Sequence, residues 1–400
     1  MGDIEVELVA NIAHATRQRR PWMVERLAEI TALDGPSGSP DGLDAAASLL
    51  VSWLDELGAA TSVRPTSAGP LIDASFAGHG YDDAVLVLCH YDTVWPIGTA
   101  AERPFQLDGK IARGPGVLDM RGGIVACLGA IAVLTELGPK RRPVRLLVTP
   151  DEETGSEASR AAIVAAAREA TLVLVPEPAL PDGSLKTARK GWLLLRLVAH
   201  GVAAHAGLEP ERGASAVDEL VTALGALYRL REGMTTVNVG LLGSANPANV
   251  VADRAEATVD VRFGDGVEER RVRDALASLR TCDPRTRLEW PELHSRPPLV
   301  RTAAGTAAAA RVRELAAQLG LAEIGEGAAG GVSDANLAAT AAVPVLDGIG
   351  PVGGGAHALE EWVDVDSLVD RSALIALLLA DRPCTRSVTA SSPATGGSGG

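Results

Sequence analysis

Short apolar runs alternate with longer helical patterns along the first half of the chain. Leucines or β-branched residues fill the runs 83–89, 144–149 and 171–175. Between these runs, residues 122–137 and 156–169 have helical periodicity. Strands that alternate with helices form parallel sheets that are covered on both faces. The pattern therefore predicts an α/β fold, with a mostly parallel sheet that carries helices on both faces.

A different pattern interrupts this alternation after residue 191. Strand and helix patterns of an α+β type follow one another at 192–199, 214–230, 235–240, 255–263 and 268–279. The first pattern returns after Pro297, with a helix over 302–319, a strand at 343–347 and a helix over 366–380. Helical patterns at 21–33 and 43–57 precede the first predicted strand.

This interruption divides the chain into two predicted domains. A chain of 400 residues is also long for one hydrophobic core. We predict a catalytic domain made of residues 1–187 and 296–383, interrupted by a smaller α+β domain over residues 188–295. Residues 384–400 are rich in Ser, Thr and Gly, and they are predicted to be disordered because they cannot bury a core.

Charge and composition limit the partners of the chain. Its net charge of −14 argues against a nucleic-acid partner, because neutralising phosphates requires a concentrated basic surface. The longest aliphatic run near the C-terminus, residues 373–380, is far shorter than the ~20 residues that span a bilayer. Residues 1–20 lack the apolar core of a secretion signal. We expect a cytoplasmic protein with a small-molecule substrate, no membrane partner and free cysteines.

Two polar residues follow the first apolar run. His90 and Asp92 are two positions apart, so both side chains leave the same face of a strand. A histidine that binds a metal usually donates its second ring N–H to a carboxylate, and Asp92 can accept that bond. The alternative is a histidine at a strand end, followed by an aspartate in a turn.

Four further motifs place acids or a histidine beside predicted strands or glycine-rich loops. These are Asp119 in GPGVLDMRGG, Glu152 and Glu153 in PDEETGS, Glu177 in VPEPA and His357 in GPVGGGAHALEE. Each has a structural alternative, such as a plain loop or acids at the positive end of a helix. Together they form an oxygen- and nitrogen-rich set that suits Zn, Co or Mn. Two such ions ~3.5 to 4 Å apart form a common hydrolytic centre.

The order of these motifs resembles that of a known enzyme family. HYDTV, GPGVLDMRGG, DEETGS and EP, followed by AAHAG, GGVSDAN and GPVGGGAH, occur in the order and context of the M20 metallopeptidases. The chain looks most like the glutamate carboxypeptidase (carboxypeptidase G2-like) branch. The resemblance covers residues 20–382.

The resemblance implies a role for each motif. Asp119 would bridge two divalent ions, and zinc is the expected metal, with cobalt or manganese as alternatives. Glu152 would be the general base, and Asp92 would support His90. The peptide bond after Asp119 would be cis. The remaining ligands would be His90 and Glu177 for one ion, and Glu153 and His357 for the other.

The smaller domain resembles the lid and dimerisation domain of the family, so a homodimer is expected. Three of its residues look like substrate contacts. His205 would donate to the developing oxyanion, while Arg262 and Asn249 would hold a terminal carboxylate. Arg296 and Lys190, the latter beside Arg189, are further candidates for binding a second acidic group, and the alternative for each is a surface cation.

The resemblance implies a metal-dependent hydrolase. A water between the two ions would attack an amide and release a C-terminal, Glu-like amino acid from a peptide or an N-acyl amino acid. The alternatives are a deacylase of the acetyl-ornithine or succinyl-diaminopimelate type and a biosynthetic tailoring peptidase. A non-catalytic binding protein is disfavoured, because Glu152 and all five candidate ligands are present.

Overall fold

The computed structural model describes residues 4–381. The predicted disordered segment 384–400 lies outside this range. The helices are α1 Val6–Gln18, α2 Arg20–Thr31, α3 Pro40–Glu56, α4 Thr99–Glu102, α5 Arg121–Leu137, α6 Arg160–Glu169, α7 Ala216–Tyr228, α8 Gly266–Ala277, α9 Ala303–Gln318, α10 Asp334–Ala338 and α11 Val365–Ala380.

The strands, in chain order, are β1 Ala60–Thr66, β2 Gly69–Phe76, β3 Val85–His90, β4 Gln106–Asp108, β5 Ile111–Arg113, β6 Val144–Thr149, β7 Leu172–Val175, β8 Leu185–Arg189, β9 Gly191–His200, β10 Ala204–His205, β11 Thr236–Gly243, β12 Val250–Val251, β13 Arg254–Phe263, β14 Arg287–Glu289, β15 Glu292–Arg296, β16 Glu326–Ala329, β17 Val345–Asp347, β18 Gly353–Gly354 and β19 Trp362–Asp364.

A large sheet forms the centre of the fold, with the strand order β1-β2-β6-β3-β7-β17-β8-β16. Its four central strands, β6, β3, β7 and β17, run parallel. The β1–β2 hairpin joins one edge in antiparallel fashion, and β8 meets β17 the same way on the other side. The prediction of a mostly parallel sheet in an α/β fold is therefore confirmed.

Helices cover both faces of this sheet, which explains why its central strands are continuously apolar. Every residue of β3 is buried. Val85, Val87 and Cys89 belong to the core that contains α1, α2, α5 and α11, while Leu86 and Leu88 belong to the core beneath α6 and α10. Alternate residues of one strand thus pack against opposite helical layers.

The second sheet belongs to the inserted α+β segment. Antiparallel strands lie in the order β11-β13-β9-β14, and β15 also pairs with β9. Alternate residues of β13 are buried with α7 and α8 in a separate hydrophobic core. The other face of β13 carries polar side chains such as Asp260 and Arg262. This sheet is referred to below as the lid sheet.

Several elements were not predicted from the sequence. They include α1, the β1–β2 hairpin, and a small sheet with the order β18-β19-β5-β4. Strand β1 is mostly exposed, so it lacks the apolar run by which the central strands are recognised. In the part of the chain that the structure describes, no helix is long and apolar enough to cross a membrane.

Candidate metal centre

Parallel strands bring the polar motifs to one edge of the large sheet. β3 ends at His90, whereas Glu152 and Glu177 follow shortly after the ends of the neighbouring strands β6 and β7. The carboxyl ends of parallel strands meet at one edge, where α/β proteins commonly bind ligands. Asp119 immediately precedes α5, and His357 lies in the loop before β19. The peptide bond between Asp119 and Met120 is cis, as the resemblance implies.

Five side chains form two clusters that share Asp119. The clusters are His90, Asp119 and Glu177, and Asp119, Glu153 and His357. They contain the five residues that the resemblance implies as ligands, divided in the same way.

The distances within the two clusters are close to those of a tetrahedral metal site. His90 Nε2 lies 3.3 Å from Asp119 Oδ1 and 3.5 Å from Glu177 Oε1. His357 Nε2 lies 3.4 Å from Asp119 Oδ2 and 3.1 Å from Glu153 Oε2. Tetrahedral zinc with nitrogen and oxygen ligands at ~2.0–2.1 Å places its ligand atoms about 3.3 Å apart. The two oxygens of Asp119 thus face different clusters, as a bridging carboxylate requires.

The electrostatics of the clusters favour added positive charge. Burial lowers the pKa of His90, but the nearby carboxylates of Asp119, Asp92 and Glu177 outweigh it and raise this pKa well above 6.5. Hydrogen bonds to Asp119 and Glu153 raise the pKa of His357 to about 10. His90 Nε2 is buried and has no hydrogen-bond partner among the described residues. A divalent cation fits this arrangement, because it satisfies the buried nitrogen and neutralises the carboxylates.

Asp92 connects His90 to the turn that follows β6. Its carboxylate oxygens accept from the backbone N–H groups of Glu152 and Glu153, at 3.2 and 3.1 Å, and from Ser37 Oγ at 2.6 Å. His90 Nδ1 lies 3.4 Å from Asp92 Oδ1 and 3.1 Å from the Asp92 carbonyl oxygen. Asp92 therefore holds both the imidazole and the two glutamates in position, with its charge satisfied by protein donors.

Glu152 points to a different partner from its neighbour Glu153. Its carboxylate belongs to neither cluster, and Oε1 accepts from Arg296 Nη1 at 2.8 Å. Burial raises the pKa of Glu152 to about 8, against the opposing effect of Arg296. A carboxyl group with a pKa near neutrality can both accept and return a proton.

The position of Arg296 corrects the expectation that it binds substrate. The residue is completely buried. Its guanidinium already donates to the carboxylate and the carbonyl oxygen of Glu152 and to Ser156 Oγ. In this conformation no part of the group is open to a second acidic group of a substrate.

Arg189 and Lys190 are also engaged with protein atoms. Arg189 is buried and forms an ion pair with Asp347. Its Nη2 atom lies 3.9 Å from Glu177 Oε2. The interpretation of Arg189 as a surface cation is therefore wrong. Lys190 Nζ donates to the carbonyl oxygen of Met234 at 2.7 Å, within the inserted segment.

The three lid residues that were predicted to bind substrate contact other groups of the inserted segment. His205 is exposed, and the backbone N–H of Ala206 donates to the Asn249 carbonyl oxygen, so His205 and Asn249 are neighbours. Arg262 forms two hydrogen bonds to Asp260 and lies over the ring of Trp192. Within residues 4–381, no hydrogen bond or ion pair joins these three residues to either cluster.

Glu361 is a supporting residue that the sequence did not reveal. It is buried, and its carboxylate accepts from the backbone N–H groups of Gly116, Leu118 and Asp119 at 2.8, 3.0 and 3.1 Å. It also accepts from Trp95 Nε1 at 3.1 Å. These bonds fix the loop that presents Asp119. The sequence shows only an acid four residues after His357, and nothing local distinguishes it from Glu360.

The amino-acid sequence of this chain is similar to those of known proteins. The model of peptidase family M20/M25/M40 matches residues 86–381. Carboxypeptidase G2 from Pseudomonas sp. (strain RS-16) is 28% identical over 388 residues, which cover 92% of this chain and 91% of that protein. A succinyl-diaminopimelate desuccinylase from Paracoccus denitrificans is 33% identical over 173 residues, or 38% of this chain and 44% of that protein.

A solved structure supports the same conclusion about the fold. The metallo-carboxypeptidase Sso-CP2 from Sulfolobus solfataricus matches with a TM-score of 0.71 at 18% identity, over 90% of this chain and 98% of that chain. Together, these comparisons confirm the resemblance inferred from the motifs.

We expect Glu361→Gln to weaken metal binding. The amide cannot accept the same bonds from the Asp119 loop and presents a hydrogen-bond donor to backbone N–H groups. Loss of such a supporting contact typically lowers metal affinity about 10–100-fold. Zinc titration of the metal-free protein measures this affinity. The matched control is Glu360→Gln, the same change at an exposed neighbour. Equal zinc affinity in both variants would show that Glu361 does not position Asp119.

Proposed function

Because the chain belongs to peptidase family M20/M25/M40, we propose that it is a dinuclear zinc enzyme that releases a C-terminal amino acid from a peptide or an N-acyl amino acid. The family establishes a metal-dependent hydrolase of the peptidase and amidohydrolase type. Zinc, the number of ions and the substrate are the proposed parts.

One observation carries the proposal. Asp119 directs its two oxygens at different histidines, and each histidine also faces a separate glutamate. His90, Asp119 and Glu177 would hold one ion, and Asp119, Glu153 and His357 the other. Bound there, the ions would supply the Lewis acidity that activates a water and polarises the substrate carbonyl.

Glu152 would transfer the proton. It lies next to Glu153 in the chain, but its carboxylate belongs to neither cluster and accepts a hydrogen bond from Arg296. Glu152 would accept a proton from the attacking water and then donate it to the leaving amine. The raised pKa of Glu152 supports this role, because a carboxyl group with a pKa near neutral pH can both accept and donate a proton.

Lid residues would select the substrate. Arg262, with Asn249, would bind the free α-carboxylate of the released amino acid, and His205 would donate to the oxyanion. Similarity to carboxypeptidase G2 along nearly the whole chain supports a Glu-like leaving amino acid.

The partial similarity to a succinyl-diaminopimelate desuccinylase supports the second candidate, a deacylase of another N-acyl amino acid. A panel of N-acyl amino acids that varies the acyl group and the amino acid separately, scored for released amine, distinguishes the two candidates.

A homodimer would bring the lid residues to the metal centre. Strand β11 lies at an edge of the lid sheet. Exposed apolar side chains lie on β11 and on the outer side of α7, namely Leu241, Leu242, Val217, Val221 and Tyr228. A second copy that covers these surfaces with twofold symmetry would form two composite sites, each with His205 of the partner subunit.

Glu152→Gln should retain two zinc ions per chain and lose activity. The amide preserves the size of the side chain but removes proton transfer, which contributes roughly 10²–10⁴-fold to the rate. Turnover of the best panel substrate and zinc content are measured on the same sample. Glu157→Gln, an exposed acid on the same loop, is the control. Parallel loss of zinc and activity would identify Glu152 as a ligand instead of the base.

Glu152→Ala and His205→Ala should complement each other in a mixed dimer. Each homodimer is expected to be inactive. In the heterodimer, one site combines intact Glu152 with intact His205 from the other chain, so twofold symmetry predicts about half of the wild-type rate per dimer. The two variants carry different tags, and the doubly purified heterodimer is assayed. A heterodimer as inactive as the two homodimers would refute a shared site.

A further inference from the structure

The last residue of β15 contacts the turn that carries Glu152. The guanidinium of Arg296 lies 2.8 Å from Glu152 Oε1, 3.1 Å from the Glu152 carbonyl oxygen and 2.6 Å from Ser156 Oγ. One side chain therefore binds the carboxylate of Glu152, its backbone and the end of the same turn. The planar guanidinium fork suits several acceptors in fixed directions, which a lysine ammonium does not.

Asp334 lies beside the same guanidinium. Its Oδ1 lies 3.5 Å from Arg296 Nη2 and also accepts from Ser156 Oγ. Its Oδ2 accepts from Thr149 Oγ1, at the end of β6, at 3.1 Å. Arg296 is thus anchored to a central strand of the large sheet as well as to the turn. These charges are buried, so water does not compete for them.

The same strand passes close to the turn at a second point. His294 lies two residues before Arg296 on β15, and a Cβ atom at Gly155 would lie 3.0 Å from His294 Nδ1. The His294 ring stacks on Trp192 with a centroid separation of 5.5 Å, and Arg262 lies 4.8 Å over the Trp192 ring. Arg262, Trp192 and His294 thus form a row of stacked side chains that ends beside the turn of Glu152.

We propose that Arg296 is a positioning residue, which ties the lid sheet to the turn after β6 and holds the carboxylate of Glu152 where it can transfer a proton. β15 pairs with β9, so it belongs to the lid sheet. This inference rests on the proposed role of Glu152 as the base.

A positioning role and a substrate contact predict different kinetics. If Arg296 positions the base, its removal lowers kcat and leaves KM unchanged, whatever groups the substrate carries. If Arg296 binds a second carboxylate of the substrate, its removal raises KM for a substrate with that carboxylate and spares one without it.

The test compares Arg296→Lys and Arg296→Met with Arg287→Lys and Arg287→Met, which change an exposed arginine on β14 of the same sheet. The substrates are N-benzoyl-L-glutamate and N-benzoyl-L-glutamine, which differ only in the second carboxylate. We expect Arg296→Met to lower kcat about 10²-fold with both substrates, the effect of a misplaced catalytic group. KM and zinc content should stay within twofold of wild type, and Arg296→Lys should recover part of kcat.

A structural readout needs neither turnover nor a known substrate. Crystal structures of the zinc-loaded wild type and of Arg296→Met, which removes both hydrogen bonds to Glu152, show whether the Glu152 carboxylate has moved. Movement of this carboxylate with both zinc ions in place supports the inference. An unmoved carboxylate, or a rise in KM for N-benzoyl-L-glutamate alone, overturns it. A wild type that turns over neither substrate would contradict the proposed substrate class, and the two structures would still decide the role of Arg296.

Discussion

The bridging geometry of Asp119 is the interaction on which the rest of the site depends. Its two oxygens lie 3.3 and 3.4 Å from the imidazoles of His90 and His357, which come from distant parts of the chain. In each cluster the carboxylates of Asp119 and a glutamate offer oxygens within 4.8 Å of each other, and such carboxylates repel unless cations or protons intervene, so the arrangement needs support. The Glu361 carboxylate accepts a hydrogen bond from the backbone N–H of Asp119, and the Asp92 carboxylate accepts from those of Glu152 and Glu153. These bonds hold the loops of the site in place.

The fold explains why these side chains meet and why Glu152 and Glu153 have different partners. The central strands are buried between two layers of helices. The polar side chains of the site therefore lie where the carboxyl ends of these strands meet. There the two consecutive glutamates diverge. Glu153 faces His357, whereas Glu152 is held by Arg296 from the lid sheet. The proposed ligand and the proposed base can thus be adjacent in the chain and still have separate partners.

Local motifs allowed the candidate ligands and the central strands to be predicted, because each motif follows a short apolar run or a glycine-rich loop. Strand β1 and helix α1 lack such a signal. The roles of Glu361 and Arg296 could not be predicted from local motifs either. Glu361 is 242 residues from its partner Asp119 in sequence, and Arg296 is 144 residues from its partner Glu152. In the motif HSRPPL, Arg296 was a candidate for binding an acidic group of the substrate. Only the three-dimensional structure shows that it donates a hydrogen bond to Glu152.

The most direct test of the account is a crystal structure of the protein loaded with zinc, with anomalous scattering recorded on both sides of the zinc absorption edge. The account predicts two zinc peaks per chain, ~3.5 to 4 Å apart. Asp119 would contact both peaks, with His90 and Glu177 at one, Glu153 and His357 at the other, and Glu152 at neither. A single peak at full zinc occupancy, or a peak coordinated by Glu152, would contradict the account.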